Sequence, residues 1–169
     1  MPMKTIPPLL LLAAAATLAL GQMAHAQNKL LDVLQDENAR DADFWIYNDL
    51  TAARAEARRT NKPLFVTFRC VPCADCKGFD AEVAKNNQRI KNLAQEAFVA
   101  VRQVEMKGVD LSQFQFDYDL NWAAMFINAD GTVYARYGTQ SAKGADSYNW
   151  VESLEKTMRR VLALHKNYP

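Results

Sequence analysis

The hydrophobic and polar positions along the chain follow helical and strand periods in turn. Leu64–Phe68 is a compact apolar run rich in aromatic and β-branched residues, and it predicts a buried strand. Helical spacing and composition, together with capping residues, predict helices on both sides of this run. These helices are expected over Asn28–Asn38, Asp49–Thr60, Lys77–Asn87, Asn87–Ala97 and Ser147–His165.

Further strands are expected in the second half of the chain. Phe98–Val104 reads as one strand, and Asp130-Gly131 is a strong turn signal between Trp122–Asn128 and Thr132–Tyr137. Strands separated by helices and then an antiparallel hairpin predict an α/β fold, a central mixed β-sheet flanked by helices. Because the sequence has no internal repeat and no Pro/Gly-rich linker, we expect a single domain over residues 27–169.

The N-terminus has the pattern of an export signal. Lys4 precedes the apolar run Ile6–Leu20, and Ala24-His25-Ala26 fits the small-x-small cleavage pattern. A membrane anchor is the alternative, but the run is shorter than the roughly 20 apolar residues that span a bilayer. We expect a cleaved signal peptide over residues 1–26. The mature protein would then be periplasmic or secreted, with no membrane association.

The charge balance excludes one class of partner. The 169 residues contain 20 Lys and Arg against 19 Asp and Glu, with 50% hydrophobic and 23% charged content. This is an ordinary globular composition without the basic surface that a nucleic-acid binder needs. We therefore expect no nucleic-acid partner, and we expect a monomer.

The candidate chemistry lies in three cysteines within seven residues. Cys70, Cys73 and Cys76 form two overlapping C-x-x-C units between the predicted strand Leu64–Phe68 and the predicted helix Lys77–Asn87. A helix N-terminus stabilises a thiolate, and a second thiol three residues later can attack a mixed disulfide formed by the first. The cluster therefore predicts thiol–disulfide exchange. A static disulfide or inert buried cysteines are the alternative.

Two pairs compete for the active role. Cys73 and Cys76 continue the helical stripe of Phe79 and Val83, which would place Cys76 in the core and Cys73 at the helix cap. Cys70 and Cys73 form the rival pair. We favour Cys73 and Cys76, with Cys70 as an auxiliary thiol or alternative attacker.

A metal site is the other chemical interpretation. An iron–sulfur or zinc site would need a fourth ligand beyond the three thiolates. A soft ion such as Cu(I) needs only two or three thiolates, so a non-catalytic copper-type binder on the same scaffold stays an alternative. The favoured interpretation needs no metal and no bound cofactor.

The sequence resembles the thioredoxin-like superfamily, in particular secreted bacterial domains and the C-terminal domain of membrane thiol–disulfide interchange proteins. The similarity runs from Asp49 to Tyr137. It comprises the Ala-rich helix Thr51–Arg59, the segment Asn61–Phe68, the segment Cys73–Lys77, Phe79 with Val83, the strand Phe98–Val101, and the hairpin around Asp130-Gly131. The resemblance implies a thioredoxin-like fold, Cys73 as nucleophile and Cys76 as resolving thiol. It also implies protein thiol or disulfide substrates and a redox partner protein.

The sequence departs from the family pattern at three places. Pro72 replaces an aromatic residue before the first cysteine, and Thr67 replaces a buried acid that accepts the resolving thiol's proton. Ala123 or Ala124 stands where the family has a cis-proline. A cis bond there would cost about 3 kcal/mol, so we expect a trans peptide. The resemblance places Ala123 and Ala124 in the substrate-docking loop, as substrate contacts. Trp122 lies beside this loop and is either a further substrate contact or a packing residue.

The residues around the cysteines favour one direction of exchange. Asp75 would oppose a nearby thiolate, and Arg69 and Lys77 would compensate in part. A less stable thiolate makes a dithiol more reducing. We therefore expect a reductant or isomerase-type protein rather than a strong oxidant. A redox-silent module that uses the fold for protein contacts remains a third possibility.

Overall fold

The computed structural model describes residues 36–40, 42–71, 73–74, 76–115, 121–138, 143–144 and 147–168. The predicted signal peptide and most of the predicted helix Asn28–Asn38 lie outside these ranges. In the part of that helix that is described, the chain forms turns, with the Ala39 N–H donating to the Asp36 carbonyl at 3.2 Å.

The described residues form one mixed sheet of five strands in the order β1-β3-β2-β4-β5. The strands are β1 (Ile46–Tyr47), β2 (Leu64–Arg69), β3 (Val99–Gln103), β4 (Trp122–Ile127) and β5 (Val133–Tyr137). The central strand β2 pairs with β3 in parallel and with β4 antiparallel. Every residue of β2 is buried, which explains why the run Leu64–Phe68 is apolar at every position except Thr67.

Four α-helices and one π-helical segment accompany this sheet in the described part of the chain. They are α1 (Leu50–Thr60), α2 (Lys77–Ala81), the π-helical segment Glu82–Asn86, α3 (Gln88–Ala97) and α4 (Val151–Lys166). Asp49 caps α1, because its side chain accepts a hydrogen bond from the Ala52 N–H at 2.8 Å. Helix α1 ends at Asn61, which adopts a left-handed conformation with φ of 50°.

The core lies on both faces of the sheet. On one face Phe65 and Phe126 stack with ring centroids 5.1 Å apart, under helices α2, α3 and α4. On the other face Leu64 packs against α1 through the small buried residues Ala53 and Ala57. The predicted α/β class, a mixed sheet flanked by helices, is confirmed.

Two helix boundaries differ from the prediction. The predicted helix Lys77–Asn87 is α-helical only to Ala81 and continues as the π-helical segment. The last helix begins at Val151 rather than Ser147, because Trp150 takes extended backbone angles as its N-cap and is 62% exposed. Among the described residues no helix combines the length and the apolar character needed to cross a membrane.

Candidate active site

The three thiols lie between the end of β2 and the start of α2. Cys70 is exposed, Cys73 is partly exposed and Cys76 is buried, and all three are free thiols. The Cys73 N–H donates to the Cys70 carbonyl at 3.1 Å, and the Lys77 N–H donates to the Ala74 carbonyl at 3.2 Å. Two successive turns therefore carry the chain from the strand to the helix.

The turns move the helix start away from its predicted position. Cys73 was expected at the cap, but α2 begins at Lys77 and its N-cap is Cys76. The first helical hydrogen bond runs from the Asp80 N–H to the Cys76 carbonyl at 2.9 Å. Cys73 therefore lies one turn before the helix, while the predicted burial of Cys76 is confirmed at 0% exposure.

Cys76 is held in an environment that disfavours its thiolate. Its Sγ lies 3.4 Å from the carbonyl oxygen of Asn121, to which it donates. Burial, together with the nearby Asp80 and Cys73, raises the pKa of the Cys76 thiol to about 11, although the charge of Arg69 and hydrogen bonding from it act in the opposite direction. At neutral pH this thiol is protonated and shielded from solvent.

Cys73 faces a small polar cavity. The cavity has a volume of about 170 Å³. Its lining consists of Glu37, Asn38, Arg69, Val71, Cys73, Ala74 and Lys77. Of the pair Cys73 and Cys76, Cys73 is therefore the one open to solvent, whereas Cys76 is buried.

The predicted substrate contacts Trp122, Ala123 and Ala124 are buried in β4. Their exposed fractions are 1%, 3% and 1%. The Trp122 ring packs edge-on against Phe79 at 4.9 Å, and its Nε1–H donates to Asp80 at 2.9 Å. Direct contact of these side chains with a substrate is not supported by their burial. The trans geometry expected here is confirmed, since no described peptide bond is cis.

A buried ionic cluster lies beneath Cys76. It consists of Asp36, Arg69, Asp80 and Arg102, whose side chains are 0–3% exposed. Arg69 and Arg102 contact Asp80 at 2.5 and 2.7 Å, and Arg102 contacts Asp36 at 2.6 Å. Burial raises the pKa of Asp36, but hydrogen bonding and charge from Arg102 outweigh it, so the net shift is downward. Both carboxylates are therefore paired by guanidinium groups.

This cluster was not predicted from the sequence, because charged residues are rarely fully buried. Two signals pointed to it. Asp80 lies four residues after Cys76, on the same helical face, and Arg102 interrupts the apolar run of β3. The site expected for the family's acid is occupied by Thr67, whose hydroxyl donates to the Val101 carbonyl at 3.3 Å. Among the described residues, the carboxylate whose charge raises the pKa of Cys76 is Asp80, which is carried by the helix and not by the strand.

Pro72 and Asp75 lie outside the described residues. Across the described ranges, no three His, Cys, Asp or Glu side chains are grouped closely enough to hold a metal ion.

The chain is similar to one protein-family model and to solved structures. A family model described as thioredoxin-like matches residues 45–129, about half of the chain. The solved structure of a disulphide isomerase from Xylella fastidiosa Temecula1 is 23% identical, with a TM-score of 0.46, and the match covers 70% of this chain and 88% of that one. A structure described as DsbH oxidoreductase is 16% identical, with a TM-score of 0.47, and covers 68% and 85%. No curated protein matches the chain.

Proposed function

Because the chain belongs to the thioredoxin-like family, we propose that it is an exported thiol–disulfide oxidoreductase acting on protein substrates. Membership alone does not decide activity, since one fold carries many functions. The observation that carries the proposal is the contrast between the two thiols. Cys73 is reachable from solvent, and Cys76 follows three residues later, fully buried at the start of a helix.

This contrast assigns different steps to the two cysteines. The Cys73 thiolate attacks one sulfur of a substrate disulfide, a mixed disulfide forms, and the other substrate sulfur leaves and takes up a proton. Cys76 then loses its proton and attacks the Cys73 sulfur. The Cys73–Cys76 bond forms, the bond to the substrate breaks, and the released substrate thiolate takes up the second proton. Two electrons pass from the dithiol to the substrate, and a redox partner protein restores the dithiol.

The burial of Cys76 supports the reducing direction. A strong oxidant is one whose reduced form is stabilised, commonly through a thiolate. The raised pKa of Cys76 gives this site no such stabilisation at the resolving thiol. We propose a reductant or isomerase-type protein. Equilibration with glutathione should give a reduction potential below about −180 mV, and a value near about −120 mV would contradict the proposed direction.

Export forms part of the same proposal. The residues that support it are Lys4, the apolar run Ile6–Leu20 and the Ala24-His25-Ala26 cleavage pattern. N-terminal sequencing of the protein recovered from a bacterial periplasmic fraction should give Gln27 as the first residue. Recovery of uncleaved protein in the membrane fraction would favour the anchor instead.

The assignment of the pair is tested by single Cys→Ser variants in an insulin-reduction assay. Cys73→Ser and Cys76→Ser should lose turnover, while Cys70→Ser, the matched control in the same segment, should keep most of it. Turnover retained by Cys73→Ser would contradict the proposal.

Trapping of the mixed disulfide separates the two candidate pairs. Cys76→Ser should accumulate a substrate adduct on Cys73, because nothing remains to resolve it. If Cys73→Ser accumulates the adduct on Cys70 and Cys76→Ser accumulates none, the active pair is Cys70 and Cys73 instead.

A further inference from the structure

The ionic cluster beneath Cys76 is balanced in charge but unevenly satisfied in hydrogen bonds. Asp80 accepts from both nitrogens Nη1 and Nη2 of Arg102, from Arg69, from Asn38 and from the Trp122 indole. Arg102 donates to a carboxylate from each of its three nitrogens. These two residues are therefore fully engaged within the cluster.

Arg69 is the exception. Its Nη1 donates to Asp80 at 2.5 Å and to Asp36 at 3.3 Å, and its Nη2 donates to the Val71 carbonyl at 3.3 Å. Its Nε is buried and has no hydrogen-bond partner in the described part of the chain. Leaving a buried donor unpaired costs about 1–3 kcal/mol, so such a group in a native structure calls for an explanation.

The position of Arg69 supplies that explanation. Arg69 is the last residue of β2, and it lines the cavity beside Cys73. The charge of Arg69 and hydrogen bonding from it favour a lower pKa of the Cys76 thiol, against the larger effect of burial and those of Asp80 and Cys73. A protonated thiol is a weak acceptor, whereas a thiolate would accept a strong, charge-assisted hydrogen bond.

We propose that Arg69 stabilises the Cys76 thiolate during the resolving step, with its unpartnered Nε–H as the donor. The two Nη nitrogens remain bonded to Asp80, Asp36 and Val71, which leaves the Nε–H as the donor that has no partner among the described residues. When Cys76 gives up its proton, which the leaving substrate thiolate finally takes up, the Cys76 thiolate becomes the missing acceptor. It then attacks the Cys73 sulfur, the substrate thiolate leaves and takes up a proton, and the Nε–H is again unpaired.

The test measures the resolving step alone and uses a variant that removes the charge, Arg69→Gln, beside variants that conserve it. In a Cys70→Ser background, Cys73 is loaded with thionitrobenzoate, and its release by Cys76 is followed by absorbance as a function of pH. Arg69→Lys retains the charge but loses the guanidinium. Arg102→Lys makes the same change at the other arginine of the cluster and serves as the matched control.

The size of the effect follows from the rate law for thiol exchange. Removing an opposite charge or donor raises a pKa by about 1–3 units, and a Brønsted coefficient of about 0.4–0.5 partly offsets the lost thiolate. Release below the pKa should therefore slow about threefold to sixtyfold in Arg69→Gln and at least about threefold in Arg69→Lys. The pH midpoint should rise in both. Arg102→Lys should stay within about twofold of the parent protein.

This inference rests on the proposed function, and the assay separates the two. If the Cys70→Ser protein releases no thionitrobenzoate at all, the assignment of Cys73 and Cys76 fails. If it releases thionitrobenzoate but both arginine positions behave alike, only the role of Arg69 fails.

A second measurement needs no substitution in the cluster. In the reduced protein, the NMR signal of the Arg69 Nε–H should shift as Cys76 titrates, while the Arg102 Nε–H signal should not. An Arg69 signal that stays constant through the Cys76 titration would overturn the proposal, including when the Arg69 variants do not fold.

Discussion

Replacing Asp80 by Asn should make the protein less stable and its resolving step faster. Asn has the same shape as Asp but carries no charge, and its amide presents N–H groups to a site that contains donors. Asp80 is fully buried and pairs with both arginines of the cluster. Without it, only Asp36 would balance Arg69 and Arg102.

The stability loss follows from the burial of the pairs. Breaking a buried ion pair by removing one partner costs about 3–5 kcal/mol, because the other charge is left uncompensated. In a chain of this size each kcal/mol corresponds to a shift of about 2–4 °C in Tm, so we expect a fall of about 6–20 °C. The exposed pair of Glu56 with Arg59 gives the contrasting case, since solvent screens it. Glu56→Gln should therefore cost less than about 1 kcal/mol.

The gain in rate follows from the sign of the Asp80 charge. Asp80 contributes to raising the pKa of Cys76, so its neutralisation should lower that pKa and increase the thiolate fraction at neutral pH. Urea unfolding measures the first effect, and thionitrobenzoate release in the Cys70→Ser background measures the second. A free energy of unfolding within about 0.5 kcal/mol of the parent, or a slower release in folded protein, would refute this reasoning.

Three further predictions concern stability. The folded-state pKa of Asp36 is lowered, because guanidinium pairing outweighs burial, so the stability that Asp36 contributes is present above its unfolded pKa and is lost as pH falls through its folded pKa. In urea unfolding at varied pH, Asp36→Asn should reduce this acid-induced loss of unfolding free energy. An unchanged loss would contradict the pairing. Burial raises the folded-state pKa of Cys76 from 9.0 to about 11, so the stability that the protonated thiol contributes is present below pH 9 and is lost as pH rises from 9 to about 11. The difference in unfolding free energy between the parent and Cys76→Ala should therefore shrink over this interval. A constant difference would contradict the shift. Gly138→Ala should cost about 1–3 kcal/mol, because φ is +113° and the new Cβ would lie 2.7 Å from the Trp122 carbonyl oxygen. In the control Gly78→Ala, the new Cβ would meet no atom within 4 Å outside its own helix backbone, so the change should be neutral or stabilising by up to about 1 kcal/mol. Equal losses at both glycines would refute the account.

The elements predicted best from the sequence are those with a local cause. The run Leu64–Phe68 is apolar at every position except Thr67, because β2 is covered on both faces, and Asn61-Lys62-Pro63 ends the preceding helix through a left-handed residue and a proline. The Asp130-Gly131 signal gave the hairpin, with the Gly131 N–H donating to the Asn128 carbonyl at 3.0 Å. Each of these signals lies within a few residues of the structure it produces.

The features that the sequence did not predict depend on distant residues. Asp36 and Arg102 are 66 positions apart, and no local pattern pairs them. The position of the helix start at Cys76 depends on two turns, which lie in a segment with no strong turn signal of its own. Burial of Trp122 follows from its contacts with Phe79 and Asp80, which belong to a helix 42 residues earlier.

Identification of the first disulfide formed on oxidation tests the central claim most directly. Cleavage before aspartate separates Cys76, on a fragment beginning at Asp75, from Cys70 and Cys73 on the preceding fragment. After oxidation by one equivalent of a substrate disulfide, alkylation of the remaining thiol and mass spectrometry should show the two fragments joined through Cys73 and Cys76, with Cys70 alkylated. A Cys70–Cys73 bond within one fragment, with Cys76 alkylated, would contradict the account.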